Sequence, residues 1–212
     1  MRPHVVSRYF DYDHIDAAAD EIEKIRLCLG VYYTPNPVNR ALIARSSNRL
    51  RGIEYRSQST TTDADILCRR WLLIDCDAVR PSGISSSGAE HAAALAKAQE
   101  IRSNFAGADW ADPLYIDSGN GAQLMYRIDL PRDDGWLVEK LLKKLDKWCS
   151  TPEVKIDVTV HNPARIWRLP GTYNCKGDPV EDRPHRMAKI IEQPETPEIG
   201  TPAQLRTAAR LD

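Results

Sequence analysis

The sequence is poor in several features that mark whole classes of protein. Its only cysteines are Cys28, Cys68, Cys76, Cys149 and Cys175. Because they are odd in number and include no Cys-x-x-Cys pair, they indicate neither a disulfide framework nor a zinc ribbon, and they favour a reducing environment. No window approaches the roughly 18 consecutive apolar residues of a membrane span, and the N-terminus lacks a long apolar signal segment. We therefore expect a cytoplasmic protein with no membrane partner.

The sequence also has almost no net charge. It contains 29 Lys and Arg against 30 Asp and Glu, which gives a formal charge of -1. Proteins that coat nucleic acid non-specifically need many uncompensated basic side chains, so this balance argues against that class but leaves room for a local basic channel. With 212 residues, of which 42% are hydrophobic and 28% charged, the chain is long enough to bury a proper core.

The first 70 residues are predicted to form an accessory α/β layer. Residues 16–29 have the pattern of an amphipathic helix that Asp16 caps and that ends before Gly30, and VYYT (31–34) is typical of a strand. Residues 34–62 are polar and basic, which indicates either a nucleic-acid surface or a solvated loop. The basic residues that the sequence leaves unpaired in that stretch are Arg40, Arg45, Arg49, Arg51 and Arg56.

Residues 71–192 alternate between strand and helix patterns. The predicted elements are a strand at WLLID (71–75), a helix from the Ser87/Glu90 capping box to Phe105, a hairpin of 114–117 and 122–128, a helix over 136–148 capped by Asp133 or Asp134, and strands at 154–158, 165–169 and 187–191. In the second helix, Leu137, Leu141, Leu145 and Trp148 are predicted to share an apolar stripe. The order predicts an α+β fold with the split βαβ sheet of ferredoxin-like and RRM-like domains.

We expect one composite domain over residues 1–192, with 1–70 as the accessory part and 71–192 as the RRM-like part. The remaining residues, 193–212, are predicted to be a Pro- and Thr-rich linker followed by a short helix capped at Thr201. Such a tail either joins a further module or is a plain exposed C-terminus.

Two aspartates follow the first strand of the sheet. Asp75 and Asp77 stand at i and i+2, so a continuing strand points both carboxylates the same way, and their repulsion calls for a cation. Asp157 is predicted in the middle of the 154–158 strand, which can neighbour the first strand. Three such carboxylates are what two-metal nucleotidyl transfer uses, with Mg²⁺ or Mn²⁺. The alternative is a strand end with surface aspartates.

Cations and a glycine turn follow these acids along the chain. Arg165, Arg168 and Lys176 are placed to bind a triphosphate, although either arginine alone would equally suit a surface salt bridge. The turn Ser118–Gly121 offers backbone N–H groups and a hydroxyl to an anion, but a plain hairpin turn would use the same residues.

Taken in order, three segments resemble the archaeo-eukaryotic primase superfamily, specifically the primase-polymerase (prim-pol) domains of phage, plasmid and other mobile-element replication proteins. The segments are IDCDAVRPSGISS, SGNGAQL and KIDVTVHNPARIWRLPGTYNCKGD, and the resemblance covers about residues 30–190. It implies that Asp75, Asp77 and Asp157 are the metal ligands. The nucleotide-binding residues that it implies are Ser118, Asn120, Gln123, Asn162, Arg165, Arg168 and Lys176. It also implies template contacts by Asn36, Arg45, Arg49 and Arg51.

This resemblance implies a DNA primase, a nucleotidyltransferase that makes primers on single-stranded DNA from NTPs or dNTPs, with a fused or separate helicase as partner. Gln123 stands where the family usually has a histidine, so phosphate binding should be weaker. One alternative is a non-catalytic single-stranded DNA or origin-binding module, and another is a metal-dependent nuclease. Steric choice between ribo- and deoxynucleotides would fall to Tyr33, Tyr126 or Tyr173.

Overall fold

The computed structural model describes residues 5–25, 28–50 and 60–210, and it is a mixed α+β structure with an antiparallel sheet. The strands are β1 Tyr32–Tyr33, β2 Cys68–Ala78, β3 Leu114–Asp117, β4 Gly121–Pro131, β5 Val154–Ile156, β6 Trp167–Arg168, β7 Tyr173–Asn174, β8 Arg186–Met187 and β9 Lys189–Glu192. The helices are α1 Ile15–Glu23, α2 Gly88–Ala106, α3 Leu137–Cys149 and α4 Pro202–Arg210. The α+β class predicted from the sequence is confirmed at this level.

The main sheet has the strand order β5-β2-β4-β3-β9, and every neighbouring pair is antiparallel. The predicted hairpin is confirmed as β3 and β4. The strand that begins the predicted RRM-like part, β2, lies in the interior of the sheet between β4 and β5. This position follows from its apolar run, because a strand buried on both sides must be apolar along most of its length.

One face of the sheet is covered by α2 and α3. Along β2, Leu72, Ile74 and Cys76 are fully buried in the core beneath these helices. Buried alanines on α2, Ala94 and Ala98, have short side chains, which allow close packing of the helix on the sheet. The intervening residues of β2 therefore point to the opposite face, where Asp75 and Asp77 lie.

A smaller layer covers the apolar part of that opposite face. β1 pairs with β6 in a separate two-stranded sheet. From this layer Trp167 is buried in the core, and the Tyr33 hydroxyl donates to the Met125 sulfur at 3.3 Å. The predicted strand at 31–34 is thus confirmed, and its role is to cover the sheet beside the acidic residues.

The prediction for the first helix is wrong at its C-terminal end. α1 ends at Glu23, and the Leu29 carbonyl instead accepts a hydrogen bond from the Cys175 N–H at 3.0 Å. Asp16 lies inside the first turn, because a 3-10 turn over Tyr12–His14 precedes the helix. The chain leaves the helix early because residues 29–33 are used in contacts with the segments around β6 and β7.

The prediction of α2 is confirmed together with its capping box. Ser87 Oγ accepts a hydrogen bond from the Glu90 N–H at 3.2 Å, and a Glu90 carboxylate oxygen accepts one from the Ser87 N–H at 2.8 Å. At the start of α3, Asp134 accepts from the backbone N–H groups of Trp136 and Val138, as predicted for one of the two aspartates.

The predicted apolar stripe on α3 holds for its leucines but not for Trp148, which is 59% exposed. Trp148 is at the edge of the apolar arc, whereas the next residue, Cys149, is buried in the core. After residue 193 the chain forms α4 behind the predicted cap, Thr201, and Leu205 of this helix is completely buried. α4 packs on α3.

Candidate functional site

Three carboxylates meet at one end of the sheet. One carboxylate oxygen from each of Asp75, Asp77 and Asp157 lies within 4.8 Å of the other two, and each side chain is half-buried. Asp75 and Asp77 are on the same face of β2, as the i, i+2 spacing predicts. This grouping could hold a metal ion.

Asp157 reaches the group by a different route from the one predicted. β5 ends at Ile156, so Asp157 is not in mid-strand, and a 3-10 turn over Val158–His161 follows. Its side chain accepts from the Thr159 N–H at 2.8 Å, which satisfies the start of that turn. The Asp157 N–H donates to the Asp75 carbonyl at 2.9 Å, so the β2–β5 pairing brings the two residues together.

The three carboxylates lie close together, and nearby groups offset only part of their negative charge. Burial, reinforced by the negative charges of Asp77 and Asp157, raises the pKa of Asp75 well above its ordinary value. A hydrogen bond from Gln123 and the positive charge of Lys176 oppose this shift in part. A cation bound between the carboxylates would remove the part of this shift that comes from charge repulsion.

Gln123 lies directly opposite Asp75 in the β2–β4 register. It is 5% exposed, its Nε2 is 3.5 Å from Asp75 Oδ2, and its Oε1 is buried with no hydrogen-bond partner among the described residues. A buried carbonyl oxygen without a partner is costly, and it is also the type of atom that a hard cation or a bound water would complete.

Lys176 is exposed, and it is brought towards the acids by the loop that precedes it and by the loop after β2. Ser85 Oγ donates to the Lys176 carbonyl at 3.1 Å. At Gly177 the backbone has φ +66°, and a Cβ there would lie 2.8 Å from the Gly83 carbonyl oxygen. Only glycine permits this close approach, which fixes the position of Lys176.

The Ser118–Gly121 turn is held tightly by the surrounding chain. Ser118 Oγ accepts from the Gly121 N–H at 3.1 Å, and the Ser118 carbonyl accepts from Asn174 Nδ2 at 2.9 Å. Asn120 Oδ1 accepts from the N–H and the hydroxyl of Ser86, while Asn120 Nδ2 is buried and has no hydrogen-bond partner in the part of the chain that the structure describes. Ser118 and Asn120, which were predicted to bind the nucleotide, therefore connect the sheet to β7 and to the loop that precedes α2.

Arg165 and Asn162 stabilise their own loop. Arg165 Nε donates to Asn162 Oδ1 at 2.9 Å, and its guanidinium also contacts the Thr159 carbonyl. Asn162 Nδ2 donates to Asp63 Oδ1 at 3.1 Å. These contacts shape the chain that follows Asp157, and in the described residues neither side chain hydrogen-bonds to the three carboxylates.

Arg168 lies on the side of β6 away from Trp167 and the main sheet. It is 3% exposed, with its guanidinium 4.2 Å from the Tyr32 ring centroid and its Nη2 donating to the Tyr32 hydroxyl at 2.5 Å. Burial lowers the pKa of Arg168. Within the described residues it forms no ion pair with the acidic group, so the structure does not bring it together with Asp75, Asp77 and Asp157.

The residues predicted to contact the template have structural partners. Asn36 is buried, donates to the Pro163 carbonyl and accepts from the N–H groups of Arg70 and Trp71. Arg45 lies 3.9 Å from an Asp65 carboxylate oxygen, so it is not unpaired as the sequence suggested.

Of the remaining predicted template residues, Arg49 is exposed and donates to the Ser47 carbonyl at 3.2 Å. Arg51 lies outside the described residues. The structure therefore brings none of the template residues that it describes into hydrogen-bond contact with the three carboxylates.

No protein-family model, curated protein or solved structure matches this chain. Among the described residues, no helix combines the length and apolarity that crossing a membrane requires. The function is therefore inferred below from the side chains themselves.

Sequence reasoning missed a buried pair next to the turn. His91 Nε2 lies 2.8 Å from Asp117 Oδ1, and the same oxygen accepts from the Gly119 N–H at 2.7 Å. Although burial raises the pKa of Asp117, these bonds lower it overall. The signal was present in the sequence, since His91 follows the α2 cap by one turn and Asp117 ends β3, but only the packing of α2 on the sheet unites them.

Proposed function

We propose that this protein is a primase-polymerase of the archaeo-eukaryotic primase type, which makes primers on single-stranded DNA by template-dependent nucleotidyl transfer. The observation that supports this most is the meeting of Asp75, Asp77 and Asp157, with one carboxylate oxygen of each within 4.8 Å of the others. These residues come from the first and third of the segments that resemble the family, about eighty positions apart in the chain.

The strand order supports a ferredoxin-like sheet for this site. The core order β5-β2-β4-β3, with α2 following β2 and α3 following β4, is the order expected when two split βαβ units interlock in an antiparallel sheet. In this arrangement, the first and last strands of the motif are neighbours. That neighbouring pair carries the acidic residues.

The donors suit Mg²⁺ or Mn²⁺. All three are carboxylate oxygens, which hard divalent cations prefer, and Gln123 Oε1 is an additional oxygen beside Asp75 that lacks a hydrogen-bond partner within the described part of the chain. When bound, such ions lower the pKa of an attacking hydroxyl and stabilise a departing pyrophosphate. The attacking oxygen forms a bond to the α-phosphorus while the bond between the α-phosphorus and the bridging oxygen breaks.

The chain's own residues would orient the nucleotide. Lys176 supplies positive charge next to the acids and is free to move its ammonium, because it is exposed on a loop whose backbone is fixed. Gln123 can donate a hydrogen bond from Nε2 but carries no charge, so its contact with a triphosphate is weaker than that of a histidine. Arg165 and Arg168 could assist only after rearrangement of the contacts described above.

A non-catalytic DNA-binding module is less well supported. Such a module would be more stable without crowded, half-buried acids, since burial and mutual repulsion both disfavour their charged forms and raise the pKa of Asp75. A nuclease would also use metal-bound carboxylates, and a lysine beside them suits hydrolysis of a phosphodiester as well as nucleotidyl transfer. Incubating the protein with labelled DNA and metal, but without nucleotides, distinguishes a nuclease from a primase, because only a nuclease shortens the strand.

The test is primer synthesis on single-stranded templates of mixed sequence, with ribo- and deoxynucleotides supplied separately and Mg²⁺ compared with Mn²⁺. Asp75→Ala and Asp157→Ala are expected to abolish synthesis while leaving the circular dichroism spectrum unchanged. Asp20→Ala, on the exposed surface of α1, is the matched control and should be fully active. Synthesis that persists in both site variants would contradict the proposal.

A further inference from the structure

The outer face of α3 combines lysines with exposed tryptophans. Trp148 is 59% exposed at the end of the helix, and Trp136, just before its start, is 67% exposed. Four lysines lie between them: Lys140, Lys143, Lys144 and Lys147. With 3.6 residues per turn, these lysines and Trp148 occupy an arc of about 140° of the helix circumference. We call this set of six residues the α3 stripe.

Part of the positive charge of the α3 stripe is compensated, because Lys143 pairs with an acid on the helix and Lys144 also has an interaction partner. Glu139 pairs with Lys143 at 2.6 Å, and Asp146 accepts from Ser150 Oγ at 2.5 Å. Both acids lie on one flank, outside the arc of the lysines. Arg206 of α4 adds a further cation, since it lines a groove together with Lys140, although Asp134 also contributes to the wall of that groove.

Trp148 is arranged as a platform with cations beside it. The Lys144 ammonium lies 5.6 Å and the Lys147 ammonium 5.9 Å from the centroid of its ring. A flat aromatic ring left open to solvent and flanked by positive charge suits a ligand that carries flat apolar groups and regular negative charges. Unpaired bases stack on such rings, and the backbone phosphates between them attract lysines.

We propose that the α3 stripe binds single-stranded nucleic acid. Duplex DNA offers phosphates but hides its base faces, and an acidic peptide or an anionic membrane offers charge without a regular series of flat rings. The α3 stripe lies on the helix layer, on the face of the sheet opposite Asp75 and Asp77. Its binding therefore does not depend on the carboxylate site, and it can be measured with that site disabled.

The experiment measures binding of a fluorescently labelled oligodeoxythymidylate by anisotropy over a range of salt concentrations, in the Asp77→Asn background and without divalent metal. Lys140→Gln/Lys147→Gln should flatten the dependence of log K on log salt by about 1.4, because each phosphate that a lysine neutralises on a single strand contributes about 0.7 to that slope. Trp148→Ala should weaken binding at least about fivefold with little change of slope, as expected when one base no longer stacks on the ring.

Matched controls come from the acidic helix α1. Lys24→Gln removes an exposed lysine that pairs with Glu21, and Tyr12→Ala removes a ring that is 86% exposed next to that helix. Neither should change affinity or slope. Because the side chains replaced on α3 and near α1 lie at the surface, each variant should unfold at nearly the same temperature as its Asp77→Asn parent, which separates a binding defect from a folding defect.

Two results would overturn the proposal. One is that the α3 variants bind the oligonucleotide with the affinity and salt slope of their parent. The other is that polyglutamate or phosphatidylglycerol vesicles quench the Trp148 emission while the oligonucleotide does not, which would assign the α3 stripe to a protein or membrane partner. Tighter binding of the single strand than of a duplex of equal length, with the preference abolished in Trp148→Ala, supports it.

Discussion

Replacing Asp77 by asparagine should have opposite effects on stability with and without a divalent ion. Two unit charges about 4–5 Å apart repel by roughly 3–4 kcal/mol at an effective dielectric constant near 20. Asp77 faces two such neighbours, but the carboxylates are half-buried and the raised pKa of Asp75 favours uptake of a proton. We therefore expect Asp77→Asn to stabilise the metal-free protein by about 1–2 kcal/mol, which raises Tm by about 2–8 °C.

A bound ion should reverse the order in which wild type and Asp77→Asn unfold on heating. At an ion concentration 100 times Kd, binding to the native state stabilises wild type by about 2.7 kcal/mol, or about 5–10 °C. A site weakened a hundredfold by the loss of one carboxylate would retain only about 0.4 kcal/mol at the same concentration. Wild type should then unfold at the higher temperature.

The assay is differential scanning fluorimetry in EDTA and in a Mn²⁺ titration, with Asp20→Asn on α1 as the control that should follow wild type in both. The reasoning would be refuted if Asp77→Asn unfolded at a lower temperature than wild type in EDTA and still gained the full Mn²⁺ stabilisation. That pattern would mean that the carboxylates do not repel one another and do not hold the ion.

Three further predictions concern the fold around the site. The hydrogen bond from Arg183 lowers the pKa of Glu90 from 4.5 to about 2. The stability that this pair adds is therefore present above pH 4.5 and lost as the pH falls towards 2. Because solvent screens this partly exposed pair, Glu90→Gln should lower the free energy of unfolding in urea by only about 1 kcal/mol at pH 7, and not at all at pH 2. An equal cost at both pH values would rule out the charge as its source. Gly119→Ala should destabilise more than Gly135→Ala, because both have positive φ but only at Gly119 would a Cβ meet a backbone oxygen, that of Arg186 at 2.7 Å; equal losses in thermal unfolding would contradict this. Leu205→Ala should cost about 2–4 kcal/mol, since the side chain is fully buried, whereas an undocked tail would show no change in Tm.

Elements with a local signal could be predicted from the sequence. The Ser87/Glu90 capping box predicted the start of α2, and the glycine turn between two apolar runs predicted the β3–β4 hairpin. The i, i+2 spacing of Asp75 and Asp77 was enough to place both carboxylates on one face of β2.

Features that depend on competition between local and long-range contacts could not be predicted. The alternation of apolar residues on both sides of Asp157 suggested one long strand. Instead, the Asp157 side chain accepts a hydrogen bond from the Thr159 N–H, and a 3-10 turn begins there. The predicted strand at 187–191 is divided at Ala188, where the chain passes from β8 to β9. Arg168 shows the same limit: its strand was predicted, but which face of β6 it occupies depends on the pairing with β1.

Copying of a template is the activity that we propose for the carboxylate site. It can be measured by supplying the protein with Mn²⁺, single-stranded templates of defined and different sequence, and all nucleotides, and then sequencing the products. We expect short products complementary to each template, absent for Asp157→Ala and present for Asp20→Ala. Products unrelated to the template, or products made equally well by Asp157→Ala, would contradict it.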